Sequence, residues 1–84
     1  MPVIFAHILE GRSDETKRAY IRALTEVSVK YLKCRPESVS IVLTDMPFTH
    51  YARGGKVKMD ELAEAGLTVE EFHAREASVA EKSL

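Results

Sequence analysis

The chain has 84 residues and a net charge of −1 at pH 7, and 45% of its residues are hydrophobic. This length allows one domain, since single domains usually run about 100–200 residues, and the ordinary apolar content excludes a fully disordered chain. A single cysteine, Cys34, excludes an intrachain disulfide, and no apolar run is long enough to span a membrane. Because so short a chain buries a thin core, we expect it to bury further apolar surface against sister subunits.

Charge is distributed unevenly along the chain. Residues 1–58 carry ten Lys and Arg against six Asp and Glu, whereas residues 59–84 carry two against seven. The cations of the first part alternate with acids and are not interleaved with aromatic residues, so we predict no nucleic-acid partner. We also predict no membrane partner and a cytoplasmic location, because the first residues do not resemble a targeting segment. The chain is expected to divide into a core at 1–58 and an acidic, helical C-terminal extension at 59–84.

A strand is the first predicted element, over residues 3–9, and its continuous apolar character favours cover on both faces. Ser13 then serves as the N-cap of a helix from Asp14 to about Lys33, which we expect Pro36 to terminate. The predicted apolar stripe of this helix is Tyr20, Leu24, Val27 and Tyr31, with Ile21, Ala23, Ser28 and Leu32 beside it.

Residues 38–44 read as a second strand. A strand, a long helix and a strand form a βαβ unit, so the fold class is α/β and the two strands are predicted to be parallel. The helix covers one face of this two-stranded sheet. The other face is therefore expected to stay apolar and exposed unless another subunit covers it.

The remaining residues predict a small hairpin followed by a helical tail. Gly54-Gly55 forms the hairpin turn between residues 51–53 and 56–58. A short helix at 59–65 ends at Gly66, and Thr68 with Glu71 is a capping box that opens a last helix through about Glu81.

The Met1-Pro2 start is a candidate source of chemistry. Initiator methionine is generally removed before a small residue, which would leave Pro2 as a secondary amine that is both a base and a nucleophile. Its neighbours Val3, Ile4 and Phe5 are apolar, and apolar surroundings disfavour the charged form of an amine. The simpler alternative is that Met-Pro is a common start with no role.

Arg12, Tyr51 and Arg53 are the other candidates. Arg12 lies between the first strand and the helix, where anions bind in α/β units, and a guanidinium there can hold a carboxylate through two hydrogen bonds. A solvated turn arginine is the simpler alternative. Tyr51 and Arg53 flank the hairpin, where a tyrosine can donate to an enolate oxygen or pack against a subunit. His50 and His73 have no partner at metal-ligand spacing, so we expect no metal.

The leading Pro2, the run from His7 to Glu15 and the Gly54-Gly55 hairpin together resemble the 4-oxalocrotonate tautomerase family. The resemblance covers about residues 2–57. It implies a βαβ unit with a hairpin, assembled as a hexamer, and a cofactor-independent isomerase. By this resemblance Pro2 is the general base, Arg12 binds the substrate carboxylate, and Tyr51 forms part of the pocket.

Ser40 departs from the family pattern. It stands where members that act on the dicarboxylate 2-hydroxymuconate carry a second arginine, and serine cannot supply a bidentate contact to a carboxylate. By the family's geometry Arg53 is the candidate to replace that arginine, with Arg35 a weaker choice.

The predicted function is therefore tautomerisation of a small anionic enol or keto acid by a homo-oligomer. Two alternatives stay open. One is a hydratase or dehalogenase that uses a protonated Pro2 as general acid, and the other is a weakly active structural subunit of a mixed oligomer.

Overall fold

The computed structural model describes residues 1–83 and contains two small sheets and three helices. In chain order the elements are β1 (Val3–Leu9), α1 (Asp14–Leu32), β2 (Ser40–Met46), β3 (Ala52–Arg53), β4 (Lys56–Val57), α2 (Lys58–Ala65) and α3 (Val69–Ser83). Short 3-10 turns lie at Pro36–Ser38 and Phe48–His50. This order confirms the predicted α/β fold with a hairpin and a helical tail.

β1 and β2 pair in parallel, as predicted for a βαβ unit. The Ser40 N–H donates to the Pro2 carbonyl at 3.0 Å, and the Glu10 N–H donates to the Met46 carbonyl at 2.9 Å. Both strands therefore advance in the same direction between these two bonds. The predicted start of β2 at residue 38 is wrong by two residues, because a 3-10 turn occupies Pro36–Ser38.

The ends of α1 are made by local hydrogen bonds. The Ser13 hydroxyl accepts from the Thr16 N–H at 3.1 Å, which confirms Ser13 as the N-cap. At the other end Lys33 has φ 53°, and its N–H donates to the Val29 carbonyl at 3.1 Å. This left-handed cap ends α1 one residue before the predicted boundary, so the helix stops before Pro36 is reached.

The face of α1 that is shielded from solvent differs from the predicted stripe. Tyr20, Val27 and Tyr31 are 42%, 54% and 69% exposed. The shielded positions are instead the buried Ser28 and the half-buried Lys17, Ile21, Leu24, Thr25 and Val29. Leu24 is therefore the one shielded member of the predicted line, whereas Ile21 and Ser28, predicted beside that line, are shielded as expected. One residue of helix corresponds to a rotation of about 100°, so choosing the neighbouring position changes the face.

The sheet of β1 and β2 has one half-buried face and one open face. Side chains alternate along both strands, so Val3 and Phe5 of β1 lie on the same side as Val42 of β2. These three apolar side chains are 56%, 67% and 47% exposed. The prediction of an uncovered apolar sheet face is confirmed, and this chain alone does not cover β1 on both sides.

The chain divides into two units, of which the first contains residues 1–8 and 12–45. The second contains residues 9–11 and, as far as the chain is described, 46–83. In this second unit Phe48 is fully buried and Leu62 of α2 is 3% exposed. The Phe72 ring of α3 meets Phe48 edge-on at 5.7 Å between ring centres. Both tail helices thus contribute to the apolar core of the second unit.

The turn and caps of the second unit follow the sequence prediction. Gly54 and Gly55 have φ values of 59° and 82°, as a two-residue hairpin loop between β3 and β4 requires. Gly66 ends α2 with φ 70°. Before α3 the Thr68 hydroxyl accepts from the Glu71 N–H at 3.1 Å, and the Glu71 carboxylate accepts from the Thr68 N–H at 3.0 Å, which confirms the capping box.

Within residues 1–83, no helix combines the length and the apolar character needed to cross a membrane. Across the same residues, no three His, Cys, Asp or Glu side chains are grouped so that they could hold a metal ion.

Candidate functional site

Pro2 lies immediately before β1 and is half-buried. Its carbonyl accepts the hydrogen bond from the Ser40 N–H at the start of β2. The structure therefore brings these two candidate residues together through their main chains. Met1, which precedes Pro2, is 90% exposed and lies outside the packed part of the first unit.

Arg12 occupies the turn between β1 and α1 and lines a cleft of about 310 Å³. The other lining residues are Ile8, Thr16, Lys17 and Tyr20, so the cleft extends along the first two turns of α1. The N-terminal amides of a helix and its dipole favour negative charge at this end. A guanidinium at the same end adds a cation with a geometry suited to a carboxylate.

Lys17 is a second cation in this cleft, and the sequence analysis missed it. Its Nζ lies 2.6 Å from the Asp45 carboxylate and 3.6 Å from that of Asp14. The hydrogen bond to Asp45 is the main reason that the pKa of Lys17 is raised above its ordinary value. The ammonium therefore stays charged at neutral pH. An i, i+3 spacing from Asp14 was visible in the sequence, but Asp45 is 28 residues away and no local pattern connects it to Lys17.

Tyr51 and Arg53 meet beside the hairpin of the second unit. The Arg53 Nη2 donates to the Tyr51 hydroxyl at 3.2 Å, and this hydrogen bond raises the pKa of the guanidinium. Since the hydroxyl oxygen accepts from Arg53, its own proton is still able to point toward another acceptor. Tyr51 is half-buried and Arg53 is exposed. The two predicted residues thus form a pair in which both the guanidinium and the hydroxyl can donate to a ligand.

Each unit brings one pair of the predicted site residues together. In the first unit Pro2 lies beside Ser40, and Arg12 lies in the cleft of α1, whose lining includes neither Pro2 nor Ser40. In the second unit Tyr51 lies beside Arg53.

Comparisons with known proteins assign the family. A family model described as "Tautomerase enzyme" matches residues 2–61. A 2-hydroxymuconate tautomerase from Stutzerimonas stutzeri is 43% identical over 56 residues, which make up 67% of this chain and 89% of the relative. The chain therefore belongs to the tautomerase family, as its sequence resemblance predicted, and the activity of this class is isomerisation.

Solved structures support the same assignment. A structure of a 4-oxalocrotonate tautomerase isozyme from Methylibium petroleiphilum superimposes with a TM-score of 0.73 at 33% identity, covering 75% of this chain and 98% of that one. A heterohexamer 4-oxalocrotonate tautomerase from Chloroflexus aurantiacus superimposes with a TM-score of 0.68 at 28% identity, covering 71% of this chain and 97% of that one. The residues after 61 lie outside the part of the chain that the family model matches, and they include all of α3.

Proposed function

We propose that this protein interconverts the enol and keto forms of a small unsaturated 2-hydroxy or 2-oxo acid without a cofactor. Pro2 acts as the general base and Arg12 binds the substrate carboxylate. The observation that carries the proposal is the cleft at the head of α1, where the Arg12 guanidinium and the helix N-terminus favour an anion, while Lys17 is already paired with Asp45. Membership of the tautomerase family supplies the class of reaction.

The proton transfer balances within one substrate molecule. The lone pair of the Pro2 nitrogen takes the proton of the substrate 2-hydroxyl, and the O–H electron pair forms the carbonyl at carbon 2. The electrons of the adjacent double bond shift along the chain, and a distant carbon takes the proton back from Pro2. No oxidant or reductant is needed, and the amine is neutral again at the end of the cycle.

This role requires that Pro2 be the first residue, because a proline nitrogen acylated by Met1 is an amide and has no basic lone pair. Met1 is 90% exposed, which is compatible with its removal. The amine must also be neutral at working pH, whereas an ordinary α-amino group has a pKa of about 7.7–8.0. The apolar start of β1 disfavours the charged form, and a nearby cation would disfavour it further.

The test of Pro2 combines mass with kinetics. Intact-mass measurement of active protein should show the loss of one methionine. Pro2→Ala still permits removal of Met1 but leaves a primary amine, and we expect its kcat/KM to fall by about 10²–10⁴ because general base catalysis contributes that much. Pro36→Ala, in the 3-10 turn of the same unit, is the control and should stay near the wild-type rate. An unchanged rate in Pro2→Ala would remove Pro2 from the mechanism.

The test of Arg12 uses its charge and a neighbouring arginine. Arg12→Gln should raise KM about 10- to 100-fold for an acid substrate, since a hydrogen bond to a charged group is worth about 1.5–3 kcal/mol. Arg18→Gln is the matched control, because Arg18 is exposed on α1 and does not line the cleft. Equal effects of the two substitutions would show that only the overall charge matters.

Ser40 offers no cation to a second substrate carboxylate, so either di-acid enols are poor substrates or Arg53 binds that carboxylate instead. Ser40 is exposed at the start of β2 and has no charge to offer a second carboxylate. We propose that Ser40→Arg raises turnover of di-acid enols selectively, and that Arg53→Gln lowers it if Arg53 now binds that group. Comparison of mono-acid and di-acid enols in both variants tests this. A gain that is equal for both substrate types would contradict it.

We further propose that the open sheet face is buried in a homo-oligomer, most simply a hexamer. The exposed Val3, Phe5 and Val42 support burial of this face, and the Chloroflexus relative is named as a heterohexamer. Light scattering of the purified chain should give the mass of six subunits. Phe5→Lys should dissociate the assembly, while Val79→Lys, also on an exposed apolar residue but in α3, should not.

A further inference from the structure

The main-chain segment that precedes Arg12 is held at three atoms of Glu10. Its N–H donates to the Met46 carbonyl at 2.9 Å, and its carboxylate accepts from the Phe48 N–H at 3.5 Å. Its carbonyl oxygen lies 2.6 Å from Nε2 of His73 in α3. A carbonyl oxygen can only accept, so Nε2 carries the hydrogen and donates it. The tail helix therefore makes the shortest of the three contacts.

The His73 ring is oriented by packing against two aromatic rings. Its ring meets the rings of Phe48 and Phe72 at 5.8 Å and 5.4 Å between centres, in edge-on arrangements. Its Nδ1 is buried and has no hydrogen-bond partner among the described residues. The ring thus has one polar contact, and that contact is with Glu10.

Gly11 lies directly against α3. It has φ +115°, and a Cβ added there would lie 2.8 Å from Val69 Cγ1 and 2.9 Å from Cδ2 and Nε2 of His73. The main chain of Gly11 therefore approaches the helix more closely than any residue with a side chain could. Arg12 follows Gly11 in the chain, so the direction in which the chain enters Arg12 depends on a segment fastened to α3.

We propose that His73 is a positioning residue for Arg12, through the Glu10–Gly11 segment that leads into it. The inference rests on the proposed function, in which Arg12 binds that carboxylate. It assigns a role to a helix that lies outside the residues matched by the family model. The His73 Nε2 donates to the Glu10 carbonyl and so fixes the Glu10–Gly11 peptide. The Arg12 backbone begins directly after this peptide.

The central experiment compares two substitutions of His73 by steady-state kinetics on a mono-acid enol such as phenylenolpyruvate. His73→Leu keeps an apolar side chain but removes the donor, and we expect KM to rise about 3- to 10-fold, the range that loss of one hydrogen bond produces. kcat should stay within about twofold, because Pro2 is untouched. His73→Gln retains an N–H donor at a similar reach and should restore the wild-type KM. His50→Leu, at an exposed histidine of the same unit, is the control.

Repeating His73→Leu in an Arg12→Gln background distinguishes a role of His73 in positioning Arg12 from a purely structural role. If His73 acts through Arg12, His73→Leu raises KM little further once Arg12 is gone. An equal rise in both backgrounds overturns the inference. If Arg12→Gln alone leaves KM unchanged, the proposed function fails as well. If Arg12→Gln raises KM but His73→Leu does not, only the role of His73 is wrong.

A second pair keeps the test valid should His73→Leu not fold. The amide nitrogen of His73→Asn is one carbon closer to the main chain than that of His73→Gln, so it does not reach the Glu10 carbonyl. KM should therefore rise in His73→Asn and not in His73→Gln. Equal KM values in these two polar variants would overturn the proposal.

Discussion

Gly11→Ala is the sharpest test of how the tail helix contacts the segment before Arg12. Gly11 has φ +115°, a conformation that side chains rarely adopt, and holding a non-glycine residue in such a region costs about 1–3 kcal/mol. The added Cβ would also lie within 2.9 Å of three atoms of Val69 and His73. Relieving such overpacking typically costs a further 1–3 kcal/mol, so the free energy of unfolding should fall by about 2–6 kcal/mol.

Gly66→Ala is the matched control. Gly66 has φ +70°, but nothing lies within 4 Å of its would-be Cβ, so alanine there pays only the backbone cost of about 1–2 kcal/mol. The difference between the two variants isolates the contact with α3. Urea unfolding at one fixed protein concentration measures both values, since association would otherwise change the apparent stability.

A double variant locates the clash. Two of the three close atoms belong to His73, so His73→Ala should relieve part of the penalty when combined with Gly11→Ala. We expect the combined loss to be smaller than the sum of the single losses by about 1 kcal/mol or more, as for other contacting pairs. If Gly11→Ala costs no more than Gly66→Ala, or if the two losses simply add, then α3 does not lie against Gly11 as described.

Four further predictions concern stability. Phe48→Ala should lower the free energy of unfolding by about 3–5 kcal/mol in urea, because Phe48 is fully buried, whereas an effect below about 1 kcal/mol would contradict that burial. Thr68→Ala should cost about 1 kcal/mol and reduce helicity in circular dichroism, since it removes the N-cap of α3. The hydrogen bond from the Thr68 N–H lowers the pKa of Glu71. The stability that this bond contributes is therefore present above the ordinary pKa of 4.5 and is lost as pH falls through the lower folded pKa. The free energies of unfolding of wild type and Glu71→Gln should converge in acid and not in base. The hydrogen bond to Asp45 raises the pKa of Lys17. The stability that this pair contributes is therefore complete below the ordinary pKa of 10.5 and is lost as pH rises through the higher folded pKa. The difference in free energy of unfolding between wild type and Asp45→Asn should persist at pH 7 and close only in strong alkali.

The element types and their caps could be predicted from the sequence because their hydrogen bonds are local. Ser13 bonds the N–H three residues ahead, and Thr68 and Glu71 bond each other across the same spacing. The hairpin turn follows from Gly54-Gly55, where positive φ is easily adopted. Such features depend on residues within about one turn of each other, and their side chains reach the same atoms in whatever fold they occur.

The candidate site was predictable only in part. Pro2 and Arg12 stand out because one begins a strand and the other lies between a strand and a helix. Lys17 was not among the sequence candidates, whereas the structure has it half-buried in the cleft and paired with Asp45. No short-range pattern connects residues 28 positions apart, because their meeting depends on the whole helix and β2 being in place.

What the amino-acid order alone settles here is the type and order of the helices, strands and turns, and the caps that are bonded within a few residues. Which surfaces meet is set later, by packing. A rotation of about 100° per residue separates the predicted stripe of α1 from the observed one, and pattern alone does not distinguish two adjacent apolar stripes. The contact of His73 with Glu10 joins residues 63 positions apart, and it exists because the rings of the buried Phe48 and the half-buried Phe72 hold the imidazole where the Glu10 carbonyl can accept from it.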